Sequence, residues 1–214
     1  MQTVVKFEIK DVEAALSHLG VPMRVLNEAV QAGYLSRISR TANDAPNAAG
    51  FYQWNETLRS LRDSMVSLQW QRNDDGNWPT MVHPEKKISI AVSSGNQNTG
   101  KVNGIPSTKS SKGPRTAQAV NANQQMYLGP DFEPQVSTCE VDSQNETWLL
   151  LFYTDAEELR AELSLPVKID CEGHVNAWRE RIILPTFPLD PDPLAMLAEP
   201  DFGPDIDIKI ARKG

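Results

Sequence analysis

The chain has 214 residues, 40% of them hydrophobic and 23% charged, which suits one sizeable folded core or two small domains. Its formal net charge of −7 argues against indiscriminate binding to nucleic acid. No apolar run approaches the roughly 18 residues that span a bilayer, so no membrane partner is expected. The first residues, MQTVVKFEIKDVEAAL, lack the basic start and apolar stretch of a secretion signal, which predicts a cytoplasmic protein. Two cysteines, Cys139 and Cys171, are too few for a disulfide framework or a cysteine metal cluster. His18, His83 and His174 share no ligand spacing, so no metal or other cofactor is expected.

Asp11 can cap a short helix, VEAALSHL, that stops at Gly20. Pro22 opens a second helix, MRVLNEAVQA, expected to stop at Gly33, with Val25, Leu26, Ala29 and Val30 on one face. Residues 36–50 are polar and read as a loop. A third helix carries Trp54, Leu58, Leu61 and Met65 at inward-facing spacing. This closes a helical region over residues 1–66.

Residues 67–184 are expected to form a mainly antiparallel sheet. SLQWQR, NDDGN and WPTMVHP read as a hairpin, and KISIAVS as a third strand. Residues 94–113, with four glycines and many small polar residues, predict a mobile loop. Pro114 then opens a helix, 114–126. Residues 129–146 are an acidic connector. TWLLLFY reads as a central strand covered on both faces. Alternation from Leu159 to Val167 predicts a half-buried strand, and VNAWRERIIL returns beside it in a meander. On that last strand, Trp178, Glu180 and Ile182 should share one side, with Arg179 and Arg181 on the other. The segment 185–214 is a tail rich in proline and acid. The fold class is therefore α+β.

Charge is spread unevenly. Lys86, Lys87, Lys101, Lys109, Lys112 and Arg115 fall between Lys86 and Pro130 with no acid, so that stretch carries +6 and the remainder −13. Such an arm can close over a phosphate backbone or an acidic partner.

Four patterns carry candidate chemistry. The first is the helix pair joined through Leu19-Gly20-Val21-Pro22, followed by Ala32-Gly33-Tyr34-Leu35 and an aromatic-led third helix with Phe51, Tyr52 and Trp54. This pattern, over about the first 65 residues, resembles the excisionase and MerR-like helix-turn-helix family. The resemblance implies a bacterial regulatory or accessory protein that binds DNA. It implies that Arg24, Asn27 and Gln31 read base edges and that Arg37 and Arg40 hold phosphates. Where the family has a short β wing, this chain has the longer polar segment 36–50, and its first 65 residues balance seven acids against seven bases.

The second pattern, Gly95 to Val102, nearly matches a phosphate-binding G-x-x-x-x-G-K-[ST] loop, but Val102 replaces the hydroxyl and Pro106 interrupts any following helix. The third, Asp74 and Asp75 with Glu85 and Lys87, has a distant likeness to the D…(D/E)-x-K arrangement of metal-dependent nucleases. The fourth is a charged face of Arg160, Glu162, Arg179, Glu180 and Arg181, expected to be solvated and worth a few tenths of a kcal/mol per cross-strand pair. The favoured function is non-enzymatic binding with DNA as first partner. The alternatives are a nuclease-like enzyme, and an adaptor that binds another protein through the acidic connector and tail.

Overall fold

A computed structural model describes residues 2–128 and 145–189. All but the last two residues of the acidic connector, and nearly all of the tail, therefore lie outside the described residues. In chain order the elements are β1 (Val4–Lys6), α1 (Ile9–Leu19), α2 (Met23–Ile38), α3 (Ala48–Ser67), β2 (Gln71–Asn73), β3 (Thr80–Val82), β4 (Ile88–Ser94), α4 (Pro114–Leu128), β5 (Glu146–Thr154), β6 (Glu158–Ile169), β7 (Val175–Ile183) and β8 (Phe187–Pro188). The protein is α+β. One mixed sheet runs β1-β7-β6-β5-β4-β3-β2, with β8 beside β6. The meander β5–β6–β7 is antiparallel, as the alternation predicts. β4 lies parallel to β5 because the chain crosses over between them through α4. β1 is parallel to β7 and, at three residues, too short to show a period-2 pattern.

Helices α1–α3 cover one face. Val12 and Leu16 of α1, Val25, Leu26 and Val30 of α2, and Leu58, Leu61 and Met65 of α3 join Ile90, Trp148, Leu150, Phe152 and Leu163 from the strands in a single apolar cluster. The helical and sheet regions thus share one core. Each fully buried aliphatic side chain there contributes about 1.5–3 kcal/mol. Gly20, at φ 76, takes the left-handed conformation that ends α1. Gly33 does not end α2, which continues to Ile38. It marks instead where α2 and α3 cross: a Cβ at this position would overlap the Thr57 hydroxyl and stand 2.7 Å from the Gln53 carbonyl oxygen. The glycine is needed for close helix approach, not for a stop.

The other face of the sheet carries a second cluster of Ala91, Val120, Leu149, Leu151, Val175 and Trp178. Helix α4 covers part of it. Asn123 is buried, donates to the carbonyls of Thr147 and Pro166 at 2.9 Å each, and accepts the Thr147 N–H at 2.9 Å. The residues between β4 and α4 cover the rest. β7 departs from simple alternation. Leu165 pairs with Glu180 but Pro166 with Trp178, so Arg179 is an extra residue in the ladder. That bulge turns Trp178 to the loop side while Ile182 stays on the helix side, which corrects the expected sharing of one face.

Candidate functional site

The segment 94–113, expected to be mobile, is pinned to the sheet. Gly95 donates its N–H to Phe152 O at 2.8 Å and bridges to Thr108, closing the base of the loop. Beneath it lies an ion pair sealed from solvent. Arg181 Nε and Nη2 donate to the two oxygens of Glu162 at 3.1 and 2.5 Å. Glu162 is 0% exposed and Arg181 2%. The carboxylate also accepts the Gly100 N–H at 2.9 Å and the Ser164 hydroxyl at 2.8 Å. The guanidinium reaches upward to Gly104 O at 2.7 Å and Lys101 O at 3.0 Å. Trp178 Nε1 donates to Pro106 O at 2.8 Å, and His174 Nδ1 lies 3.0 Å from Thr108 O.

Arg160, also buried, holds the other side of the loop through Gln97 O at 3.1 Å. It pairs with Glu158 at 3.2 Å and stacks 4.9 Å over the Tyr153 ring. Arg160, Glu162 and Arg181 are therefore not on a solvated face. The loop covers them, and pairs expected to be worth tenths of a kcal/mol become interior charges whose partners cannot be removed cheaply. Of that face, Glu180 pairs with Lys6 at 2.6 Å and Arg179 lies 3.4 Å from Glu146, both partly exposed.

This geometry also explains why the glycine-rich stretch is no phosphate cradle. Its Gly100 amide already donates to a carboxylate, Glu162 Oε2, and the amides of Thr99 and Lys101 donate to Asn96 O and Asn98 O. Gly100 sits at φ 73 against Arg160, where a Cβ on the glycine would stand 2.8 Å from the Arg160 Cβ. An anion is bound here, and it is the protein's own.

What the pinned loop shows to solvent is basic and apolar. Lys101, Lys109 and Arg115 are exposed and Lys112 half-exposed. Ile105 is 72% exposed at the tip and Val102 is exposed beside it. Arg115 lies against Gly76, its Nε 2.5 Å from where a Cβ would stand, which ties the start of α4 to the β2–β3 turn.

The other proposed site residues lie elsewhere. Arg24, Asn27 and Gln31 belong to α2, in the layer on the opposite face of the sheet from the loop. Arg24 is exposed and pairs with Glu28 at 3.0 Å; Asn27 is half-buried, with its Oδ1 buried and without a partner among the described residues. Arg37 and Arg40 close the C-terminal end of α2, where Arg40 donates to Arg37 O at 3.1 Å. Beside them Asp44 accepts the Thr41 N–H and the Tyr52 hydroxyl, each at 2.7 Å. These bonds hold its carboxyl below the usual value, and Asp44 in turn pushes the Tyr52 hydroxyl up.

The sequence matches no protein-family model, no curated protein and no solved structure at a significant level. Its chemistry has to be read from its own side chains. Asp74 and Asp75 sit in the turn before β3, and Glu85 and Lys87 in the turn after it, so the strand separates them. Asp74 is paired with Arg62 at 2.5 Å. The structure does not bring these four together, and no group of three or more His, Cys, Asp or Glu suited to a metal ion occurs among the described residues. No helix among them is long and apolar enough to cross a membrane. Sequence reasoning overlooked Glu162 and Arg181 as a loop anchor. Both alternate with other polar and apolar residues along β6 and β7, the ordinary pattern of a wet face, so no local signal marked them.

Proposed function

We propose that the protein is a non-enzymatic binding protein, of a regulatory or accessory kind, that holds its partner on the pinned loop, with DNA as the partner to test first. One observation carries this reading. A buried Glu162–Arg181 pair, with bonds to Gly100, Lys101 and Gly104, fixes the shape of a loop made of small polar residues. Apolar residues of similar volume usually fill such a place with equal or better stability. A loop ordered at that cost, presenting Lys101, Lys109 and Arg115 outward, is a preformed surface suited to a polyanion. Rigid presentation lowers the entropy lost on binding.

The helix-turn-helix reading places a second contact on α2. Two features support it: α1 ends at a left-handed Gly20, and Pro22 sets the start of α2. A straight duplex meets only one layer at a time, however, and the loop and α2 lie on opposite sides of the sheet. Of the two, the loop carries the larger excess of positive charge.

Fluorescence anisotropy of a labelled duplex tests the proposal. Three phosphate contacts predict a log–log salt slope of about −2.7. Lys101→Ala with Lys109→Ala should weaken binding and make the slope shallower by about 2. Absence of binding at low salt removes the DNA reading. The exposed Ile105 favours a second reading, a protein partner docked on the same loop, for which Ile105→Ala would weaken capture more than the lysine changes.

A further inference from the structure

At the tip of the pinned loop, three consecutive carbonyls are each held by a side chain. Gly104 O accepts from Arg181 Nη1 at 2.7 Å, Ile105 O from Asn98 Nδ2 at 3.2 Å, and Pro106 O from Trp178 Nε1 at 2.8 Å. Gly104 is half-buried and Pro106 buried. Ile105, between them, turns the other way and is 72% exposed, the most exposed large hydrophobic residue among those described. Its own freedom is small. The proline after it confines its backbone to extended conformations, and its branched Cβ stiffens χ1. An apolar side chain held out in this way loses little entropy when a partner buries it.

The surroundings narrow the partner. Between Gly95 and Arg115 the sequence holds no acid, and Lys101, Asn103 and Lys109 are exposed in the same loop. Val102, at 40%, is the other exposed large hydrophobic residue there. Protein pockets receive anchors that sit within an apolar patch ringed by further contacts. An isoleucine and a valine among cations and amides do not make such a patch. Residues 95–113 also hold no aromatic side chain on which an unpaired base could stack. What they do hold is lysine for phosphate, a side-chain amide for the minor-groove edge of the bases, and a branched aliphatic residue for the space between base pairs.

We infer, resting on the DNA reading, that Ile105 is a wedge: it enters the minor groove of a duplex, parts two stacked base pairs and bends the helix there. Lys101 and Lys109 meet phosphates beside the opened step, and Asn103 faces the base edges. A pyrimidine–purine step such as TA yields most easily, and it carries no guanine amino group in the minor groove. Parting base pairs needs a stiff footing, and the buried Glu162–Arg181 pair beneath Gly104 supplies it.

Two duplexes of about 25 base pairs, alike except for a central TA or GG step, test this with the full chain. A fluorescent adenine analogue at the TA step reports unstacking, and dyes at the two ends report bending by energy transfer. With the wild type we expect the analogue to brighten, energy transfer to rise, and the TA duplex to bind more tightly than the GG duplex. Ile105→Ala should abolish the brightening and the bend and weaken binding to the TA duplex roughly tenfold, with the salt slope unchanged because the phosphate contacts remain. Ile105→Met should restore the bend, since methionine also serves as a wedge. Ile105 is exposed, so both changes spare the fold, which circular dichroism checks. A wild type that binds the duplex with the salt slope of phosphate contacts, yet neither brightens the analogue nor bends the helix, overturns the wedge and leaves the DNA reading standing. Absence of duplex binding at low salt removes both. Loss of a protein partner in Ile105→Ala, with DNA binding and bending unmoved, also overturns the wedge and assigns the tip to that partner.

Discussion

Removing one member of the buried pair provides the most demanding check on how the loop is held. Arg181→Met keeps most of the side-chain volume but deletes the guanidinium. Among the described residues it leaves Glu162, which is 0% exposed, with Gly100 N–H and the Ser164 hydroxyl as donors, and it strands the carbonyls of Lys101 and Gly104. Breaking a buried pair on one side costs about 3–5 kcal/mol, because the remaining charge has no partner. For a chain of this size that corresponds to a fall in Tm of roughly 6–20 °C. Glu162→Gln with Arg181→Met removes both charges and should recover a large part of the loss, a coupling of about 1–3 kcal/mol in a double-mutant cycle. Urea denaturation followed by tryptophan fluorescence reads both quantities. Hydrogen exchange at Gly100 should accelerate in either single variant if the pair pins the loop. A cost below about 1 kcal/mol for Arg181→Met, with unchanged exchange at Gly100, would refute the account, since exposed pairs are worth that little.

Three further outcomes follow from single contacts. Asn123→Ala removes three buried hydrogen bonds to Thr147 and Pro166 and should cost about 2–4 kcal/mol in urea denaturation, because the strand groups it served stay buried. Gly33→Ala should destabilise by about 1–3 kcal/mol despite alanine's better helix propensity, since its Cβ runs into Thr57 and the Gln53 carbonyl. Asp44 should titrate below its ordinary 3.8, because the Thr41 N–H and then the Tyr52 hydroxyl favour the carboxylate. Its folded value lies under the unfolded one, so this contact stabilises above pH 3.8 and is lost as pH falls through the folded value. Tyr52→Phe should move the Asp44 titration upward in a carbon-detected NMR series.

Elements with strong local patterns could be read from the sequence. The α3 stripe of Leu58, Leu61 and Met65 is buried as its spacing requires, and the apolar run of β5 faces two cores. Errors arose where one residue type serves two physical purposes. Glycine ends α1 at Gly20, where φ is positive. At Gly33 it permits a helix crossing, and the local difference between the two is Pro22, which closely follows Gly20 while no proline closely follows Gly33. The parallel partners β1 with β7 and β4 with β5 depend on contacts between distant segments, which local periodicity does not encode.

The candidate site shows the same limit more sharply. Alternation in β6 separates Leu159, Ala161, Leu163 and Leu165 from Arg160, Glu162 and Ser164, and the ordinary inference is one wet face. What makes that face dry is the segment 95–108, whose asparagines, threonines and glycines have the composition of a mobile loop. Composition reports how much apolar surface a segment can bury by itself. It does not report that a buried carboxylate and two guanidiniums can satisfy the segment's backbone from below. Each charge on the strand supplies what the loop lacks, and each loop amide or carbonyl supplies what the buried charge requires. Neither half is stable in its place without the other, so the pairing could be found only by considering both together. The basic residues gain their meaning from this arrangement. Lys101 and Lys109 on a loose arm would be scattered charges, whereas on a loop fixed at Gly100, Gly104 and Thr108 their backbone positions are set.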